Sequence, residues 1–590
     1  MQVFKEGKWN LSELVKDPKS PSFNVRLKEI EQSVKTFQKN KKLLKANLSE
    51  NKFLAMLHSL ETITEKFSII SGYASLEYSS DTQSDEATSL LSKMRKFGAQ
   101  IENQTLFFDQ WWKKQIDDKN ANRLMSSSGE LYEFLRYKRL LARYSLTEPE
   151  ERIINTLDVT GHSALVKLYD KITNAFEFVV KIDGKKRRYN REELSLLIRS
   201  PRPKIREIAY KGLLSEFNRN KGVLGEIYQN IASNWRDECI QIRHYKSPIS
   251  VRNIGNDVED KTVDALLSVC KKNSSVFQKF FLQKARILKV KKLRRYDLYS
   301  PVQKKEEKRY QYDKAVKMVL NTLNDFSPQL SEYAKKVFVE RHIDSTIRPG
   351  KRSGAFCSTI TPKITPYVLV NFKGRTSDVF TLAHEIGHAI HSMAASGKSI
   401  FIAEAPLPLA ETASTFSEML LFNNILDQIT DNERQSILVE HLDDLYATIC
   451  RQAYFTLFEI AAHDKIGTGA TVQDITYQYL NSLKEQFGNS VSISPDFGTE
   501  WTSIPHFFHS PFYCYSYSFG NLLSLSLFQR YRKEGKSFAP TYIEVLSAGG
   551  SKKPENLLKE HGIDITSEKF WQEGFEYIKS QSQRLDKLIN

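Results

Sequence analysis

The sequence predicts a mainly α-helical protein, and three observations carry that prediction. Glycine and proline are scarce, at 25 and 18 of 590 residues, which leaves little to divide the chain into short strands and tight turns. Apolar residues recur at helical spacing over long stretches, as at Leu54, Leu57, Leu60 and Ile63, the period of one helix face. Strand signals are few: a hairpin pattern near 176–189 and one short apolar run at 366–372.

Taken in order, residues 12–141 read as successive amphipathic helices, with Phe107, Trp111 and Trp112 as core aromatics. Thr147-Glu-Pro-Glu150 is a helix start, with Thr147 as cap, Pro149 in the first turn and Glu150 completing a capping box. Phe176 to Ile182 leads into Asp183-Gly184 and a basic return strand ending at Tyr189, a hairpin. Asn190 and Glu193 open the next helix. Helical patterns continue through 206–230 and 260–288, with no internal repeat. The run at 366–372 (Pro-Tyr-Val-Leu-Val-Asn-Phe) is β-branched, bounded by proline and glycine, and reads as a strand. Thr376-Ser-Asp378 caps a helix over 379–395 that Gly397 closes. Helices over 411–422, 443–466 and 511–532 follow.

Composition narrows the function. The apolar fraction of 40% and charged fraction of 26% are those of an ordinary globular protein. The formal net charge of +16 raises the possibility of a nucleic-acid binder. The basic clusters are short and scattered, however, and no aromatic-interleaved RNA-binding signature accompanies them, so the charge reads as solvated helix faces and no nucleic-acid partner is expected. Five cysteines, an odd number and far apart with no Cys-x-x-Cys pair, argue against a disulfide framework and for a reducing compartment. The N-terminal residues lack the apolar core of a signal peptide, and no stretch reaches the length of a membrane span. The expectation is a cytoplasmic protein with no membrane partner.

The chemistry centres on Thr381-Leu-Ala-His384-Glu385-Ile-Gly-His388-Ala-Ile-His391. Four apart on a helix, His384 and His388 project from one face, where two imidazoles can meet one zinc ion. Glu385 lies beside the first histidine, placed to take the proton of an attacking water without being a ligand itself. A carboxylate as third ligand would leave the fourth position open. Glu411, 23 positions after His388, follows a connection long enough to fold back antiparallel. Glu404, in the proline-rich loop before it, competes. His391 lies only three past His388 and reads as a packed or supporting residue. Glu418, seven beyond Glu411 on the same helical face, is either the acceptor for a ligand histidine's second N–H or a solvated glutamate.

A second cluster runs from His506 through His509, Ser510-Pro511, Tyr513, Tyr515 and Tyr517 to Gly520. Ser510-Pro511 reads as a cap and first turn, which would put Tyr513 and Tyr517 on one face. Amide hydrolysis creates an oxyanion, and tyrosine hydroxyls with an imidazole are donors suited to it. Packing alone accounts for an aromatic stripe but not for the imidazoles beside it.

These residues resemble the M3 family of zinc metallopeptidases, and within it the oligoendopeptidase F branch. The resemblance rests on Tyr296-Asp-Leu-Tyr299, Gly354-Ala-Phe-Cys357, the 366–372 run, 379–391, 411–418 and 506–520. It implies a two-lobed helical body with a small sheet beside the zinc helix and an enclosed substrate channel. It divides the chain into an N-terminal helical region, 1–195, and a catalytic region, 196–590. It implies one zinc per chain on His384, His388 and Glu411, Glu385 as general base, and His506 with Tyr513 or Tyr517 as transition-state donors. Substrates would be short unstructured peptides cut at internal bonds, added to 366–372 as an edge strand.

Overall fold

In the computed structural model, which describes residues 3–302 and 309–589, helices dominate as the composition predicts. The chain forms two compact units, each assembled from three segments. The first comprises Met1–Arg143, Glu307–Asp427 and Arg530–Ile563; the second comprises Tyr144–Glu306, Gln428–Gln529 and Asp564–Asn590.

In the first unit, helices Pro21–Gln38, Glu50–Ser80 and Asp85–Gln110 pack on one another. The Glu50–Ser80 helix buries Phe53, Leu57 and Ile63, while Leu54 and Leu60 lie half-buried at the edge of the same core. Trp111 and Trp112 are core residues, as expected. They begin a π-helical turn, and the Trp112 indole donates to the Leu135 carbonyl at 3.0 Å, which satisfies its one buried polar atom.

A three-stranded sheet joins this core, in the order Ile343–Asp344, Tyr367–Leu369, Phe356–Ser358. The 366–372 run contains the expected strand, but not at an edge. Tyr367–Leu369 is central, pairing parallel with Ile343–Asp344 and antiparallel with Phe356–Ser358. All three of its residues are 0% exposed, and an unbroken apolar run is the pattern of a strand covered on both sides rather than one open to solvent. Within this sheet Ile343–Asp344 and Phe356–Ser358 are the two edge strands. The helix after it, Thr376–Ala394, starts earlier than predicted. Thr376, Ser377 and Asp378 form its first turn, and the Asp378 carboxylate accepts from the backbone N–H groups of Lys373 (2.7 Å) and Arg375 (3.0 Å).

In the second unit the hairpin forms as read: Phe178–Ile182 pairs antiparallel with Lys185–Tyr189. Its turn places both Asp183 (φ 49°) and Gly184 (φ 82°) in the left-handed region, as a two-residue hairpin loop requires. The capping boxes at Thr147/Glu150 and Asn190/Glu193 are both made. The helix predicted over 443–466 belongs to a longer run, Asp431–Leu445 and Arg451–Ile466 joined by a π turn. Part of the basic excess is buried here in paired form, as Arg206 with Asp297 (2.7 Å) and Arg295 with Glu500 (2.8 Å). All five cysteines are free, and no described helix is long and apolar enough to cross a membrane.

Candidate metal centre and active site

The Thr376–Ala394 helix carries His384 and His388 on one face, their rings 4.9 Å apart between centroids. It packs against the Thr412–Leu426 helix, and Gly387 sets how closely. A Cβ at Gly387 would fall 2.5 Å from the Ala413 carbonyl oxygen and 2.5 Å from Ser414 Cα. Only hydrogen fits there. Glu411 stands at the junction between helices Leu407–Ala410 and Thr412–Leu426, so this close crossing brings its carboxylate to the two imidazoles.

Glu411 Oε2 lies 3.4 Å from His384 Nε2 and 3.5 Å from His388 Nε2. A tetrahedral zinc with ligands at about 2.0–2.2 Å has edges of roughly 3.4 Å. Both separations from Glu411 match such an edge. Among the described residues, these three side chains form the one group of three or more His, Cys, Asp or Glu suited to a metal, with ligand atoms all within 4.8 Å of one another. Ser414 Oγ donates to Glu411 Oε2 at 2.7 Å and fixes the carboxylate, a contact that nothing in the sequence signals.

Glu418 hydrogen-bonds His384 Nδ1. That bond orients the ring so that Nε2 faces Glu411. Burial opposes a charge on His384, but the bond to Glu418 and the charges of Glu418, Glu411 and Glu385 outweigh it and raise its pKa to about 9. Burial lowers the pKa of His388. It also lowers that of His391 to about 4, and His391 stays outside the three-residue cluster. Glu385 is 7% exposed. Burial pushes its pKa up to about 7, with Glu411 and Glu418 acting in the same direction against His384. A carboxyl in that range can take and release a proton near neutrality.

A cleft of about 440 Å³ opens over these groups. One wall is the Phe356–Ser358 strand, through Phe356 and Cys357; another is the loop Ala403-Glu404-Ala405. Glu404, the alternative third ligand, lines the cleft but lies outside the metal-suited group.

The second cluster assembles within the second unit. His506 Nε2 and the Tyr517 hydroxyl are 3.3 Å apart, and the Tyr513 and Tyr517 rings meet edge to face at 5.3 Å. Burial lowers the pKa of His506, with His509 and Arg451 adding to the effect. His509 turns to Asp170 at 2.7 Å. The buried Tyr515 hydroxyl accepts from Asn256 Nδ2 at 2.8 Å.

The predicted helix start at Ser510-Pro511 does not form. Residues His506–His509 make one short turn, and the long helix begins at Tyr515. Between them Phe512 adopts a left-handed conformation (φ 58°), costly for a bulky residue. Two long-range bonds hold it there. The Phe512 N–H donates to Glu459 Oε1 at 2.9 Å, and Arg252 Nε donates to the Pro511 carbonyl at 3.1 Å. Tyr513 thus reaches Tyr517 from a clamped loop, not along one helix face.

Comparison with known proteins bears on both clusters. An oligoendopeptidase F homolog of Borreliella burgdorferi is 26% identical over all of this chain and 99% of its own length. The chromosomal oligoendopeptidase F of Lactococcus lactis subsp. cremoris is 25% identical over 92% of this chain and 91% of its own. A solved Chlamydophila abortus structure superposes with a TM-score of 0.88 at 23% identity, covering 98% of each chain. The oligoendopeptidase-F structure from Enterococcus faecium gives 0.69 at 20% identity, over 96% of this chain and 99% of that one. These two structures share the fold. The model of peptidase family M3 matches residues 196–577, a span that contains both clusters, and the chain belongs to that family.

Proposed function

We propose that this peptidase is a zinc-dependent oligoendopeptidase, with one zinc per chain held by His384, His388 and Glu411. The observation that carries the reading is the convergence of those three side chains, with Glu411 at a tetrahedral edge length from each imidazole and Glu385 buried beside them. When bound, the zinc supplies Lewis acidity that polarises the scissile carbonyl and acidifies a water molecule. Glu385 takes that water's proton and passes it to the leaving amine, a double role suited to a carboxyl buried beside the two imidazoles. Glu418 orients His384. His506 and one of Tyr513 and Tyr517 donate to the oxyanion, a role supported by their mutual contacts and by the family resemblance.

The substrate adds not to the 366–372 run, whose strand Tyr367–Leu369 is paired on both sides, but to the Phe356–Ser358 edge, where Phe356 and Cys357 line the cleft. Main-chain pairing of that kind tolerates many sequences. Confinement to short peptides is supported by the relatives' description as oligoendopeptidases. We place the catalytic function in residues 196–590, with 1–195 as an N-terminal helical region. We also infer cytoplasmic residence, in keeping with five unpaired cysteines.

The test separates ligand from base. Glu385→Gln is expected to retain about one zinc per chain and lose several orders of magnitude in kcat, whereas Glu411→Ala is expected to lose the metal. Zinc lost from Glu385→Gln and kept by Glu411→Ala would reverse the assignment. Placing one scissile sequence in a short peptide and in an exposed loop of a stable protein tests the size limit. Comparable kcat/KM for the two would turn the reading into a general endoproteinase.

A further inference from the structure

The cleft over the metal-suited residues is unlike the rest of the protein in charge. The chain carries 86 Lys and Arg against 70 Asp and Glu, yet among the described residues that line the cleft there is no lysine or arginine. Three glutamates line it. Glu411 faces the two imidazoles, and Glu385 is buried beside them. The third, Glu404, is exposed and makes no hydrogen bond or ion pair with any described residue.

The loop that presents Glu404 is firmly held. The Gly550 N–H donates to the Ile402 carbonyl at 2.7 Å. Gly549 has a left-handed backbone (φ 52°), and a Cβ there would fall 2.3 Å from that same carbonyl oxygen. A Cβ at Gly550 would come within 2.9 Å of the Glu404 carbonyl oxygen. On the other side Phe401 stacks on Phe134, with ring centroids 5.0 Å apart and planes within 2°. The backbone leading to Glu404 is thus packed in place, while its carboxylate stays free in the cleft. A fixed, uncommitted carboxylate in a cleft without lysine or arginine attracts positive charge on a side chain that lies beside it.

We propose that Glu404 is a specificity-determining residue, favouring peptides with lysine or arginine beside the scissile bond over those with an acidic residue there. The inference rests on the oligoendopeptidase reading and deepens it by naming the class of substrate side chain that the cleft prefers. It gives the acidic residue of the proline-rich loop a role other than metal ligation.

The test uses zinc-loaded full-length protein and internally quenched peptides that differ only in Lys, Met or Glu at each of the two positions flanking the cleaved bond. Attraction of lysine and repulsion of glutamate at a solvated carboxylate are each worth up to about fivefold. The wild type is therefore expected to favour Lys over Glu by roughly tenfold in kcat/KM at one flanking position at least. Glu404→Gln is expected to bring that ratio to about 2 or below, and Glu404→Lys to invert it, with the Met peptide as common denominator and zinc content verified for each variant. Raising the salt to about 0.5 M should shrink the wild-type ratio. A ratio unchanged by Glu404→Gln, or no preference for Lys in the wild type, overturns the inference while the oligoendopeptidase reading stands. Failure of the zinc-loaded wild type to cleave any of the peptides would remove that reading and this inference with it.

Discussion

Gly387→Ala tests whether the metal centre depends on how closely two helices cross. The new Cβ would lie 2.5 Å from the Ala413 carbonyl oxygen and from Ser414 Cα, where ordinary contact begins at 3.4 Å. The opposing atoms are backbone and cannot rotate away, so the helices must part by about 3.4 − 2.5 = 0.9 Å. Glu411 precedes Ala413 by two residues, so its carboxylate moves with that backbone. Ligand distances tolerate only about 0.2 Å. The expected result is a loss of zinc affinity of at least 10–100-fold, the range seen when groups supporting a metal ligand are disturbed. Stability changes less: overpacking costs about 1–3 kcal/mol, and replacing a helical glycine with alanine returns about 1 kcal/mol. Competition against a zinc-binding dye measures the affinity, and thermal unfolding followed by circular dichroism measures stability. Gly397→Ala is the control, because nothing lies within 4 Å of a Cβ there. If Gly387→Ala binds zinc within about threefold of the wild type, the crossing distance does not set the site and the reasoning is refuted.

Two further outcomes follow from the site. Because the His384 pKa is raised from 6.5 to about 9, its proton stabilises the metal-free fold fully below about pH 6.5 and ceases to do so as pH rises through 9. Zinc must displace that proton, so apparent affinity should climb with pH to about 9, and Glu418→Gln should end the climb at lower pH; identical pH profiles would exclude Glu418 as the controlling group. Among the donors, the residue that meets the oxyanion should lose about 100–1,000-fold in kcat, as Tyr513→Phe, Tyr517→Phe or His506→Ala. Tyr515→Phe, by contrast, removes a buried bond to Asn256 and should cost about 1 kcal/mol of stability with little effect on kcat. No loss in any of the three would make the cluster structural.

What could be read from the sequence followed the range of the interactions that decide each element. His384 and His388 share a face by the period of a single helix, and the hairpin at Asp183-Gly184 is fixed by two adjacent residues. Glu411 needed only the next helix in the chain, which returns against the first. The strand at 366–372 was visible as a strand, but its place in the sheet was not. Its neighbours are Ile343–Asp344 and Phe356–Ser358, pieces of two and three residues too short to show any alternation. An edge strand and a central strand differ only in partners that local sequence does not show. Gly387 was in plain view within the histidine motif, yet the reason for it lies in the Ala413 carbonyl of another helix.

The Ser510-Pro511 pair shows the same limit from the opposite side. As a local signal it favours a helix start, and locally it is outweighed. Arg252 and Glu459 lie 259 and 53 residues from their partners in that loop. Glu459 is 1% exposed, and in such a setting a hydrogen bond to it is stronger than one made in water. A bond of that kind can hold Phe512 in a conformation costing of order 1–3 kcal/mol. The departure from local preference falls in the loop that carries Tyr513, and backbone strain of this sort persists only where surrounding contacts over-determine it. The contacts that overrule the helix start are therefore the ones that fix the loop bearing Tyr513. A tyrosine four residues before Tyr517 on a continuous helix would have its direction set by the helix. A tyrosine on a clamped loop has its direction set by Glu459 and Arg252.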